Sequence, residues 1–175
     1  MERFRANDVE SSVEFFDAVI ASNPRMKPYM WQRGLSLYYM ERHVDAAQQF
    51  RDDVAVNPND TEEAIWAFMS EAQLLGPDKA REQFLKVGKD SRPVMRAAQE
   101  VFLSGDAPEK ILEAVHDNGG HDTFYGQMYV GLWYEAHGQP EKARAAMTLA
   151  VQSPYAQGDD YMAALAKVHM LRRNW

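Results

Sequence analysis

The segment His116–Asp122 reads His-Asp-Asn-Gly-Gly-His-Asp and holds the most plausible metal ligands of the chain. Its two histidines lie five residues apart across a Gly-Gly turn, which permits their rings to converge but does not enforce it. No other ligand pair is spaced to complete a tetrahedral zinc site. The alternative is a helix boundary: His116 favours the dipole of a helix C-terminus, a glycine takes a left-handed cap, and Asp122 caps the next helix. We favour the helix boundary and expect neither a metal nor a cofactor.

Residues that could act in catalysis lie where predicted helices begin or end. Ser91 and the stretch Ser104–Asp106 fall in turns, and no Gly-x-Ser-x-Gly elbow follows a strand. Glu62 and Glu63 follow Thr61 in a first helical turn, where carboxylates offset the helix dipole. A glycine-rich loop with the lysine of a phosphate site is also missing. The sequence therefore predicts a protein that is not an enzyme.

Composition limits the classes of partner. Hydrophobic residues make up 46% of the 175 residues and charged residues 26%, values that indicate a folded core. The formal charge of -7 disfavours binding to phosphate backbones and anionic lipids. No apolar run approaches the roughly 20 residues of a membrane span, and the absence of cysteine excludes disulfides and thiolate sites. We therefore expect a soluble protein that binds no nucleic acid and does not insert directly into a membrane.

A tripeptide of proline, an acidic residue and lysine recurs along the chain. It begins at Pro77, Pro108 and Pro140, at spacings of 31 and 32 residues. Proline is tolerated at the first helical position, and an acidic neighbour suits the positive end of the dipole. The segment around Ala46 occupies the same register without the proline. The spacing predicts repeated helical hairpins, each with an A helix followed by a B helix.

Apolar residues at i, i+3, i+4 and i+7 extend this pattern over one all-α domain spanning residues 1–175. No alternating stretch suggests a strand. The predicted elements are an N-terminal helix over about 9–22, hairpins over about 27–56, 61–88, 92–118 and 122–152, and a C-terminal capping helix over about 159–173.

The pattern resembles the tetratricopeptide repeat, a helical hairpin of about 34 residues with Trp, Leu-Gly and Tyr in its first helix and Ala, Phe, Ala and Pro in its second. The residues that match are Trp31, Gly34, Ala46, Phe50, Pro58, Ala80, Phe84, Gly131, Tyr134, Ala143 and Ala150. The resemblance implies a right-handed superhelical array, an α-solenoid. Residues that would pack this array are Gly34, Ala46, Phe50, Ala80, Phe84, Gly131 and Ala143. Residues 92–116 fit the signature poorly, as a degenerate hairpin would.

Three segments, residues 29–39, 57–63 and 160–169, suggest a closer likeness. They resemble small tetratricopeptide-like proteins of plant and algal plastids and, more distantly, bacterial lipoproteins of the NlpI type. This resemblance implies a chloroplast address, with the transit peptide absent from the chain. Without that address we expect a cytoplasmic protein.

In this repeat one side of helix A lines the concave surface, where the family places its ligands. The side chains that would form a partner-binding groove here are Trp31, Leu35, Tyr38, Tyr39, Met69, Met128 and Leu132. Aromatic residues are common anchors of interfaces, although such stripes more often build the core. We expect a scaffold or adaptor that binds another protein or peptide segment, as an assembly factor or accessory subunit of a photosynthetic complex. The alternative is a structural scaffold that self-associates as a homodimer.

Overall fold

A computed structural model describes residues 2–175, and every element in that range is a helix, a turn or an irregular connection. The all-α prediction is confirmed over this range. None of these helices combines the length and the apolar character needed to cross a bilayer. The chain divides into two compact units, one ending at Lys89 and the other running from Asp90 to Trp175. The joining of all the hairpins into one superhelical array stays a prediction.

The first unit contains two helical hairpins preceded by two helices and a 3₁₀ segment. Its elements are α1 (Glu2–Arg5), α2 (Val9–Ser22), a 3₁₀ segment (Pro24–Tyr29), α3 (Trp31–Tyr39), α4 (His43–Val56), α5 (Thr61–Leu75) and α6 (Pro77–Glu82).

Two helices of the first unit are shorter than predicted. The helix expected from residue 27 begins only at Trp31, because Pro28 lacks the N–H that an α-helix interior needs and lies inside the 3₁₀ segment. The helix expected to reach residue 87 ends at Glu82. After α6 the chain is irregular and turns back toward the connection between α4 and α5. There the Gly88 N–H donates to the Pro58 carbonyl at 2.8 Å. A Cβ at Gly88 would meet Oδ1 of the Asn59 side chain, which is exposed and would have to move aside.

Helix α5 is the central element of the first unit and is buried on nearly all sides. It packs against α4 and α6, and its N-terminus is capped by Asp60, whose Oδ1 accepts from the Glu62 N–H at 3.1 Å. A helix that is apolar around its whole circumference belongs in a core rather than at a surface. Every residue of α5 from Glu63 to Ala72 is therefore held by neighbours.

The second unit again pairs long helices, with 3₁₀ segments between them. Its elements are α7 (Pro93–Ser104), a 3₁₀ segment (Pro108–Ala114), α8 (His121–Ala136), α9 (Pro140–Gln152), a 3₁₀ segment (Pro154–Gln157) and α10 (Tyr161–Arg173). Asp60 of the first unit has a counterpart in Asp160, whose Oδ1 accepts from the Met162 N–H at 2.7 Å and starts α10.

The predicted B helix over residues 108–116 is instead the 3₁₀ segment Pro108–Ala114. With three residues per turn, Pro108 and Ile111 fall on one line, and both are buried. The 3₁₀ segment packs against both α7 and α8. Gly126 of α8 brings α8 close, since a Cβ there would lie 2.8 Å from Cγ2 of Val115. A 3₁₀ segment that contacts both helices therefore stands where an α-helix was expected.

Candidate functional site

The residues predicted to line an open groove lie mostly in the cores of the two units. Six of the seven side chains are at most 5% exposed, and only Trp31 is partly accessible. The six are Leu35, Tyr38, Tyr39, Met69, Met128 and Leu132. The Tyr38 ring shows why, because it packs edge-on against the rings of Tyr39 and Trp66, with centroids 5.2 Å away in both cases. The groove assignment is corrected: in this structure these side chains are core residues.

The residues predicted to pack the repeat occupy close helix crossings. A Cβ at Gly34 would lie 2.7 Å from Cζ of Phe50, so α3 and α4 meet across this pair. A Cβ at Gly131 would lie 3.2 Å from the carbonyl oxygen of Ala143 and 3.3 Å from the Met147 nitrogen, where α8 meets α9. Phe50 thus fills space inside its own hairpin. The remaining members of the set, Ala46, Ala80 and Phe84, are also buried.

The His116–Asp122 segment forms a helix boundary in which Asp117, rather than Asp122, is the capping residue. Its Oδ2 accepts from the Asp122 N–H at 2.7 Å and its Oδ1 from the Thr123 N–H at 2.9 Å. Burial acts to raise the pKa of Asp117, but hydrogen bonds from Thr123, Asp122 and Gly120 lower it below its ordinary value. The prediction of Asp122 as the cap was wrong, because the chain bends at Gly119, where φ is +82°, and brings Asp117 over the helix end.

His121 packs against the aromatic rings of Tyr125 and Tyr155. Its ring stacks on Tyr125 with centroids 4.3 Å apart, and its Nδ1 lies 2.9 Å from Oδ1 of Asp122. Across residues 2–175, no group of three or more His, Cys, Asp or Glu side chains is arranged to hold a metal ion.

A second polar cluster joins α8 to α10. Oε2 of Glu135 lies 2.7 Å from Nε2 of His169, and the Arg173 Nε donates to Oε1 at 2.9 Å. Burial acts to raise the pKa of Glu135, but the charges and hydrogen bonds of His169 and Arg173 lower it to about 2. His169 is only 1% exposed. This cluster fastens the last helix to α8.

One concave surface of the second unit remains open, and we name it the acidic cleft. It lies between α7 and the 3₁₀ segment Pro108–Ala114, has a volume of about 300 Å³, and is lined by Ala97, Glu100, Val101, Asp106, Lys110 and Glu113. Three carboxylates and one ammonium give the lining a formal charge of -3 + 1 = -2.

Lys110 is the one basic side chain among the six residues that line the acidic cleft. Its Nζ lies 2.8 Å from Oδ2 of Asp106. This hydrogen bond and the charge of Asp106, with further contributions from Glu113 and Glu100, raise the pKa of Lys110. The same bond lowers the pKa of Asp106. The field in the cleft therefore favours cations.

The sequence did not single out the acidic cleft, because its residues come from two elements and share no motif. A scan of the chain against models of known protein families finds no match.

Proposed function

We propose that the chain is a non-catalytic protein-binding module whose acidic cleft receives a basic side chain of a partner polypeptide. The observation that carries this proposal is the shape and charge of the cleft: a concavity of about 300 Å³ with carboxylates at its rim. Val101, which is buried, and Ala97 provide an apolar wall. A lysine or arginine would lay its methylene stem on that wall and place its charge among the carboxylates.

Electrostatics support a weak and fast interaction. Exposed ion pairs contribute little individually, and salt screens them over a Debye length of about 8 Å at physiological ionic strength. The net charge of -7 would still steer a basic partner toward the protein. The expected complex is therefore transient and salt-sensitive, with affinity gained from several contacts rather than from one buried anchor.

As part of the same proposal, the hairpins are tetratricopeptide-like repeats. The Pro-acid-Lys spacing supports this assignment, as do the close crossings at Gly34 and Gly131. The sequence likeness extends the proposal to a plastid assembly factor or accessory subunit, a role that rests on that likeness alone.

The proposal is tested with a deca-lysine peptide as the probe and deca-glutamate as its counterpart. Nitrogen-edited NMR of the full chain at low salt should show shift changes at Val101, Lys110 and Glu113 with deca-lysine and none with deca-glutamate. Glu113→Lys should weaken deca-lysine binding about five- to tenfold, because one attractive charge is replaced by a repulsive one.

Glu141→Lys is the matched control, since Glu141 is an exposed residue of α9 outside the acidic cleft. The same charge change there should alter the affinity much less. Equal weakening by both variants, or shift changes that map elsewhere, would show that the probe responds to net charge and that the cleft is not a site. Sedimentation of the pure protein as a tight dimer would favour self-association instead.

A further inference from the structure

Two carboxyl groups meet at a junction of three helices in the first unit, and we name Asp53 and Glu63 the carboxyl pair. Asp53 comes from α4 and is 3% exposed, while Glu63 comes from the first turn of α5 and is 4% exposed. The two carboxyl groups lie within hydrogen-bonding reach of each other. Asp53 also accepts from the backbone N–H of Trp31, the first residue of α3. The pair therefore connects the start of α3 to α4 and α5.

No basic side chain neutralises the carboxyl pair. Within residues 2–175, neither Asp53 nor Glu63 forms an ion pair, and the outside charges that act on Glu63 are those of the acidic residues Asp60 and Glu62. The basic residues of the surrounding elements are engaged by other carboxylates: Lys27 by Asp52, Arg33 by Asp17, Arg51 by Glu71 and Arg81 by Asp78. Lys79, Lys86 and Lys89 of the same unit are exposed.

Oδ2 of Asp53 and Oε2 of Glu63 are both buried, and no N–H or side-chain hydroxyl group donates to either atom. Burying two ionised carboxylates side by side is strongly unfavourable, whereas one proton between them removes a charge and supplies the missing donor. Burial, followed by the charges of Asp60 and Asp53, raises the pKa of Glu63 to about 9. Burial also raises the pKa of Asp53 to about 6. Both shifts favour a proton on the pair.

We propose that Asp53 and Glu63 share a single proton that fastens α4 to α5 and fixes the start of α3, so that the first unit loosens when this proton is lost in alkaline solution. Thr61, two residues before Glu63 in the chain, is fully buried, and its hydroxyl can supply no charge to replace the proton. The device is independent of the acidic cleft, which belongs to the second unit.

The direction of the pH effect follows from proton linkage. Glu63 releases its proton near its ordinary pKa of 4.5 in the unfolded chain but near 9 in the folded one. Between these values the folded state binds more protons, so its stability falls as the pH rises. The stability that the Glu63 proton provides is fully present below pH 4.5 and is lost by about pH 9.

The test is carbon-detected NMR of side-chain carboxyl groups in the full chain, from about pH 4 to pH 10. The carboxyl carbon of Glu63 should titrate about two or more pH units above its ordinary value. The backbone N–H signal of Trp31 should move with the same midpoint, because it bonds to the pair. Titration of Glu63 near pH 4.5 would overturn the proposal, as would a Trp31 signal that ignores the Glu63 midpoint.

Glu63→Gln keeps the shape of the side chain but removes its titratable proton. The amide keeps a donor toward Asp53 and cannot ionise, so the melting temperature should no longer decline between pH 6 and pH 9. Glu14→Gln, at an exposed position of α2, is the matched control and should keep the decline of the wild type. If the melting temperature of Glu63→Gln declines as in the wild type, the shared proton is refuted. If that variant fails to fold, the carboxyl titration of the wild type decides whether the proton is shared. Carboxyl shifts that respond to added Mg²⁺ or Ca²⁺ at neutral pH would show that a cation, not a proton, occupies the pair.

Discussion

Adding a single methyl group at Gly34 tests how closely α3 and α4 pack. The new Cβ would lie 2.7 Å from Cζ and 2.8 Å from Cε1 of Phe50, well inside the roughly 3.5–4.0 Å at which carbon atoms attract. Phe50 is fully buried, so its ring cannot swing into solvent. Overpacking of this kind costs about 1–3 kcal/mol, whereas replacing glycine by alanine within a helix stabilises it by about 1 kcal/mol. We expect a net loss of up to about 2 kcal/mol in the free energy of unfolding.

Thermal unfolding followed by far-ultraviolet circular dichroism measures this loss. For a chain of this size each kcal/mol moves the melting temperature by about 2–4 °C, so Gly34→Ala should lower it by up to about 8 °C. Phe50→Leu removes the ring edge that the methyl group meets. In the Phe50→Leu background Gly34→Ala should be neutral or stabilising. The difference between the effects of Gly34→Ala in the two backgrounds gives the energy of the contact between residue 34 and the Phe50 ring. If Gly34→Ala stabilises the wild type by the full helix-propensity gain, the Phe50 ring moves aside without cost and the expected clash does not occur.

Two further substitutions test whether Tyr38 acts in core packing or in binding, and whether Glu135 fastens α10. Tyr38→Ala should destabilise the chain by about 3–5 kcal/mol, as expected for a buried aromatic residue; loss of partner binding at unchanged melting temperature would restore Tyr38 to a binding surface. Glu135→Gln should cost about 3 kcal/mol, because His169 and Arg173 lose their buried partner. The stability that Glu135 provides is present above its ordinary pKa of 4.5 and is lost as the pH falls toward about 2, so melting curves at pH 7 and pH 3 should differ less in Glu135→Gln than in the wild type.

Much of the fold could be predicted from the sequence, because hydrophobic periodicity and helix-start residues are local signals. Helices α5 and α9 begin where Thr61 and Pro140 predict, since each lies at a helix N-terminus. The early end of α6 and the 3₁₀ form of Pro108–Ala114 could not be predicted in the same way. Both depend on what the segment packs against, and tertiary contacts override weak local preferences.

The groove assignment failed because a helical stripe shows which side chains share a face, not what covers that face. Tyr38 and Met128 have the spacing of a groove and of a core alike. Glu63 lies in the first turn of α5, as predicted, but its burial was not predicted from the sequence. A signal was present in the almost unbroken apolar run from Ala64 to Met69. Glu63, which directly precedes this run, is buried with it, whereas its neighbour Glu62 is partly exposed.

Glu63 and Glu135 show how the partner of a buried carboxyl group decides its charge. Both lie in the interior, and burial acts to raise the pKa of both. Glu63 meets other carboxyl groups, so the neutral form wins and its pKa rises to about 9. Glu135 meets His169 and Arg173, so the ionised form wins and its pKa falls to about 2. The contribution of Glu63 therefore weakens as the pH rises, and the contribution of Glu135 weakens in acid, so these two residues make the two units sensitive to opposite changes of pH.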